Sequence, residues 1–189
     1  MEPREWIAQG IGLVAMLFNI LSYQGKTPRA VITLQMIGSA LFSVNFLMLG
    51  ATVGALLNVI AALRALVFFY KEKLKADRPV WFFAFSAIYV AVYILNFTLF
   101  GGEPTAVHLL VELLPVIAMM AIHIGYNCKK AADIRKWGLV SSPSWLIYNI
   151  VVGSWGAILC EVFTLFSIFI GIWRLDRRKK DRTETGTAK

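Results

Sequence analysis

The stretch Trp145-Leu-Ile-Tyr-Asn-Ile-Val-Val-Gly-Ser-Trp-Gly-Ala-Ile-Leu-Cys-Glu-Val162 decides how the rest of the chain is read. It is apolar enough to lie in a bilayer, yet it holds Asn149, Glu161 and an uncharged Gly-Ser-Trp-Gly break. A carboxylate inside lipid costs about 2.5–3.5 kcal/mol on insertion scales, so Glu161 is expected to face a protein interior or a water-filled cavity. The break at Gly153-Ser154 divides the stretch into the end of one membrane span and the start of the next. An earlier segment, Asn45 to Asn58, reads like a first copy of it.

Working outward, the same pattern fills the chain. Of its 189 residues 58% are hydrophobic and the mean hydropathy is +0.67. Apolar runs of about 20 residues recur between short polar breaks, which is the signature of a helical multi-pass membrane protein. A soluble helical bundle is excluded by the lack of continuous polar faces. Seven spans are expected: Trp6–Tyr23, Ala30–Leu49, Ala51–Tyr70, Val80–Phe100, Thr105–Tyr126, Trp137–Val152 and Ser154–Trp173. The first lacks a basic flank and a small-residue cleavage site, so it reads as an uncleaved span and not a signal peptide.

The placement of charge sets the expected topology. One face holds the N-terminus and three tight breaks at Gly50, Gly101–Pro104 and Gly153, with Arg4 as its one basic residue. The other face collects seventeen Lys and Arg, while Arg64 lies inside a span. The positive-inside rule then puts the N-terminus outside and the C-terminus in the cytoplasm, and only an odd number of spans gives this segregation. The net charge of +8 is therefore a topology signal, and nucleic acid is not an expected partner. The basic tail beyond residue 175 reads as disordered, with either a topology role alone or an affinity for anionic lipid.

A shift of about 103 residues lays spans five to seven over spans one to three. Tyr23-Gln24 meets Tyr126-Asn127, Lys26 meets Lys129, Asn45 falls beside Asn149, Gly54-Ala55-Leu56-Leu57 meets Gly156-Ala157-Ile158-Leu159, and Asn58 meets Glu161. The expected organisation is a first triple-helix repeat (1–75), a linker helix (76–104), a second triple-helix repeat (105–175) and the tail (176–189). Both copies start on the same side, so the repeats are parallel, an arrangement that in several transporters puts the solute site between the copies.

This 3+1+3 layout, N-out and C-in, resembles the SWEET sugar facilitators and the wider PQ-loop group. Tyr23-Gln24 with Lys26 is similar to the end of a PQ motif, without its proline, and of the prolines only Pro115 and Pro143 lie within spans. A second resemblance covers nearly the whole chain. Trp6-Ile-Ala-Gln-Gly10, Leu57-Asn58 with Arg64, Glu112-Leu-Leu-Pro-Val-Ile117, and Trp145 to Asn149 with Gly153-Ser-Trp-Gly156 and Glu161 resemble the YgjV-type bacterial inner-membrane proteins. That resemblance implies a bacterial inner-membrane location and the same fold. It implies no particular activity.

The polar residues within spans are the candidate site. At ~1.5 Å per residue, Asn58, Glu112 and Glu161 lie about 10 Å from the outer end of their spans, and Asn45 and Asn149 about 6 Å. A second layer, Asn19, Gln35 and Arg64, lies about 20 Å in. These groups either line a pathway or act as interhelical glue. His108, Glu112 and His123 fall on one face of span five and make a candidate proton relay. The bland reading pairs Glu112 or Glu161 with Arg64. Trp145, one turn from Asn149, suits stacking on a small ring, or serves as an interfacial anchor as Trp155 does.

Nothing indicates an enzyme, a cofactor or a metal: no phosphate loop, nucleophile elbow, zinc motif or Cys-x-x-Cys is present, and Cys128 and Cys160 have no ligand spacing. The expected function is a SWEET-like facilitator or transporter of a small polar solute, such as a sugar, with Asn45, Asn58, Glu112, Trp145, Asn149 and Glu161 binding it. The alternative is a non-transporting receptor, lipid-binding or assembly protein on the same fold. Membrane lipid and the solute are the expected partners, and a homo-oligomer stays open.

Overall fold

The computed structural model describes residues 2–22, 27–128 and 130–173, without the side chains of Pro28, Tyr126, Asn127 and Ala131. The Tyr23-Gln24-Lys26 motif, Lys129 and the basic tail lie outside the described residues, as do the side chains of Tyr126-Asn127. Among the described residues the chain is entirely helical: α1 (Pro3–Ser22), α2 (Pro28–Met48), α3 (Thr52–Phe69), α4 (Lys71–Leu74), α5 (Pro79–Thr98), α6 (Ala106–Asn127), α7 (Ala131–Val152) and α8 (Trp155–Gly171). Five of these, α1, α2, α3, α5 and α6, are long and apolar enough to cross a membrane, and α8 is a shorter apolar helix of 17 residues.

Local chemistry fixes the ends. Thr27 Oγ1 accepts from the Ala30 N–H at 3.2 Å, and Thr105 Oγ1 from the His108 N–H at 3.3 Å, so α2 and α6 begin on conventional N-caps. Pro79 opens α5, where its missing N–H costs nothing. Gly153 ends α7 in the left-handed conformation at φ 74, which lets the chain reverse within two residues and start α8.

Span six differs from its expectation. It was expected from Trp137, but α7 begins at Ala131. Its first two turns carry Asp133, Arg135 and Lys136, too polar for a hydropathy window, and Lys136 pairs with Asp133 at 2.9 Å across one turn. A charged helical extension reaches beyond the apolar part. A short extra helix, α4, also forms in the basic linker.

Six helices form a closed ring. α1 packs on α2, α2 on α3, α3 on α6, α6 on α7, α7 on α8, and α8 back on α1. α5 stands outside the ring, against α3 and α6. Exchanging α1, α2 and α3 for α6, α7 and α8 maps these neighbours onto themselves. Large apolar side chains such as Leu17, Phe83, Ile94, Leu110, Phe166 and Phe169 point outward and are exposed, while Asn45, Asn149, Ser154 and Arg64 are buried. That inverts the soluble pattern and fits a lipid solvent, in which polar groups must be satisfied internally.

Candidate functional site

The ring encloses a cavity of about 610 Å³, lined from all six of its helices. Its extent follows from the lining of α7, which runs from Ile134 to Asn149. Fifteen residues at ~1.5 Å each make it roughly 22 Å long.

The end beside the tight breaks is closed. Its floor is an aromatic stack across the ring: Phe46 on α2 and Trp145 on α7, centroids 6.1 Å apart and 17° from parallel, with Tyr148 5.9 Å from Phe46. The floor residues are almost wholly buried. Beneath it the α1–α8 seam is bonded tightly. Asn45 Nδ2 donates to the Ala8 carbonyl at 2.7 Å, and Ser154 Oγ donates to Asn45 Oδ1 at 2.7 Å. Gln9 Nε2 donates to the Gly153 carbonyl at 2.7 Å, while the Trp155 N–H donates to Gln9 Oε1 at 2.9 Å. Gly156 lies so close to Gly12 that an added Cβ would collide with the Gly12 carbonyl.

The α3–α6 side closes differently. The Gly54 N–H, an orphan donor in the first turn of α3, donates to the Tyr148 hydroxyl at 3.0 Å. That hydroxyl also faces the Glu112 carboxyl.

Toward the basic loops the lining continues through Val31, Phe68, Ile134 and Ile168.

Seven of the expected site residues line this cavity. Asn58, Trp145, Asn149 and Glu161 lie toward the closed end, and Asn19, Gln35 and Arg64 nearer the basic loops. Asn58 and Glu161 come from α3 and α8, which stand opposite one another in the ring. Asn58 Nδ2 is committed to the Gly54 carbonyl at 2.9 Å, and Asn19 Nδ2 to the Ala15 carbonyl at 3.3 Å. Asn149 is 2% exposed, and its Oδ1 has no hydrogen-bond partner. The Ser142 hydroxyl faces the Glu161 carboxylate.

Other residues stand elsewhere. Asn45 belongs to the seal below the floor. Glu112 is outside the cavity lining, beside Tyr148, with its Oε2 buried and without a hydrogen-bond partner. The relay of His108, Glu112 and His123 is not assembled. His108 is exposed, and His123 is buried against the α5 rings of Phe82, Phe85 and Tyr89, the first at 4.7 Å. Eleven residues separate Glu112 from His123, about 16 Å along the helix. That distance along α6 is what divides them, whereas His108, one turn from Glu112, is close enough to act on it electrostatically. Arg64 Nη1 donates to the Tyr89 hydroxyl of α5 at 3.2 Å.

Sequence reasoning missed Gln9, Phe46 and Ser142 as site components. Gln9 was visible as an intramembrane amide. Phe46 carries no polar signal, and its role depends on a partner about 100 residues away. Among the described residues no cluster of three His, Cys, Asp or Glu could hold a metal ion.

Comparison with known proteins places the chain in the bacterial inner membrane. A family model described as a bacterial inner membrane protein, Imp-YgjV, matches residues 6–179. The inner membrane protein YgjV of Escherichia coli K12 is 30% identical over 183 residues, which span 93% of this chain and 90% of that protein. No solved structure matches. An apolar outer surface over buried polar groups fits a multi-pass inner-membrane protein, and the chain belongs to the YgjV family of bacterial inner membrane proteins.

Proposed function

We propose that this protein is a transporter or facilitator of a small polar solute, working by alternating access through the axial cavity. One observation carries the reading: the cavity is floored at the tight-turn end by an aromatic stack, and its lining continues to Ile134 and Ile168 beside the basic loops. A volume of about 610 Å³ falls within the roughly 300–1,000 Å³ usual for small-molecule sites. A static bundle has no need of a polar-lined void of that size, since lipid-embedded helices associate through close packing.

The finer topology belongs to the same proposal. α1, α2, α3, α5, α6, α7 and α8 are taken as seven spans, two parallel triple-helix bundles joined by α5. The exchange symmetry of the ring supports this. The charge bias supports an N-terminus in the periplasm and a C-terminus in the cytoplasm. The cavity then faces inward. The resemblance to SWEET-like facilitators is consistent with both. The solute leaves unchanged, and no residue is assigned a catalytic role.

Counterflow in proteoliposomes tests the proposal with a panel of sugars, amino acids and amines. Saturable exchange of at least one solute, reduced tenfold or more by Asn149→Leu, is the expected result. A protein that binds a solute but exchanges none would overturn transport in favour of a receptor.

A further inference from the structure

We propose that the closed end of the cavity binds an organic ammonium group, with Glu161 as its counter-ion and Trp145 as its aromatic wall. This deepens the transport reading and rests on it for passage of the solute, but not for binding.

The Glu161 carboxylate lines a cavity inside the apolar shell, and among the described residues no cation lies within 4.0 Å of it. An intramembrane carboxylate held by the Ser142 hydroxyl and by no cation is a functional group that a cationic ligand would satisfy. Arg64 lines the same cavity, but six residues further along α3 than Asn58, about 9 Å toward the basic loops. Its guanidinium is engaged with Tyr89.

The surrounding groups share one character. Asn149 lines the cavity with an amide whose oxygen is enclosed and without a partner, and it gains one if the side chain turns to a ligand. Asn58 has committed one N–H to Gly54, which leaves its oxygen and its second N–H to offer. Trp145 presents an indole that Phe46 holds by stacking. A carboxylate and two amide oxygens over an indole accept hydrogen bonds and attract positive charge, and a π face adds to the attraction for ammonium groups.

Other ligand classes fit less well. A bare sodium or calcium ion favours a compact shell of oxygens, not an aromatic floor in about 610 Å³. A simple anion would meet Glu161 at the end where the acceptors cluster. A neutral sugar could use the amides and the indole but would leave Glu161 uncompensated.

The test uses the full-length protein in nanodiscs, with thermal shift and calorimetry. The probes are tetramethylammonium and ethanolamine, against sodium chloride, glucose and acetate at matched ionic strength. The ammonium probes should bind saturably and raise Tm, with the others giving no saturable signal. Glu161→Gln should weaken tetramethylammonium binding at least tenfold while the unliganded protein keeps its Tm. Trp145→Leu should weaken it, and Trp145→Phe should retain most of it. Undiminished binding by Glu161→Gln would overturn the proposal, as would binding of glucose or acetate in place of the ammonium probes. Ammonium binding without counterflow would overturn transport alone. Counterflow of a sugar with no ammonium binding would overturn this inference alone.

Discussion

α3 and α8 both begin without a capping side chain of their own, and each borrows one from a distant helix. For α8 the lender is Gln9 of α1, which serves the Trp155 N–H and the Gly153 carbonyl with the two ends of one amide. For α3 it is Tyr148 of α7, whose hydroxyl accepts from the Gly54 N–H and also faces Glu112. In lipid an orphan helix N–H has no water to turn to, so both helices need these long-range partners. The two seams still differ. At α1–α8 backbone meets backbone through Gly12 and Gly156; at Gly54 the chain meets the ring of Tyr148. The first is a rigid closure, and the second is a closure made by a side chain that can move.

Substitutions break this comparison in a graded order. Gly156→Ala should have the largest effect, since its Cβ would meet the Gly12 backbone, which cannot rotate away. Overpacking typically costs about 1–3 kcal/mol, and a backbone clash belongs at the upper end. Loss of a monodisperse peak in size-exclusion chromatography checks it. Gly54→Ala should cost less, because its Cβ meets the Tyr148 ring at 2.7 Å and a ring can shift. If the two alanine variants lose equal Tm, the contrast between the seams is wrong.

Gln9→Leu and Tyr148→Phe should both destabilise. The first strands two backbone groups, and the second strands the Gly54 N–H and takes the hydroxyl away from the Glu112 carboxyl, at about 1–3 kcal/mol for each buried orphan. Denaturation of the detergent-solubilised variants measures both losses.

Asn149→Leu should have the smallest effect on folding. Its Oδ1 has no partner to lose, so Tm should hold or rise while solute binding falls. An amide acting as glue would instead lower Tm. This substitution therefore separates a binding amide from its counterpart in the first copy, Asn45, whose bonds to Ala8 and Ser154 predict a lower Tm for Asn45→Leu.

The difference between those two asparagines marks how far the sequence can be read. Hydropathy and charge located the helical stretches α1, α2, α3, α5 and α6 to within a few residues, because lipid demands about 20 apolar residues in each. The start of α7 was missed because Asp133, Arg135 and Lys136 stabilise a helix by local pairing and not by apolarity. Asn45 and Asn149 look alike in sequence, as do Glu112 and Glu161. Which of each pair reaches the cavity depends on helix rotation and on partners such as Ser154, which bonds Asn45 from 109 residues away. No local pattern encodes that. Gln9 was visible as a lone amide in an apolar run, but its role needed the ring to close.

The most direct test of the central claim, a cavity sealed at the tight-turn face and open toward the basic loops, is side-specific thiol labelling. Thr164 lines the cavity above the floor on α8. A Thr164→Cys variant, with Cys128 and Cys160 replaced by serine, is exposed to a small membrane-impermeant methanethiosulfonate in right-side-out and inverted vesicles. The account predicts labelling only in the orientation that presents the basic loops to the reagent. Labelling only from the tight-turn face, or from neither, would contradict it.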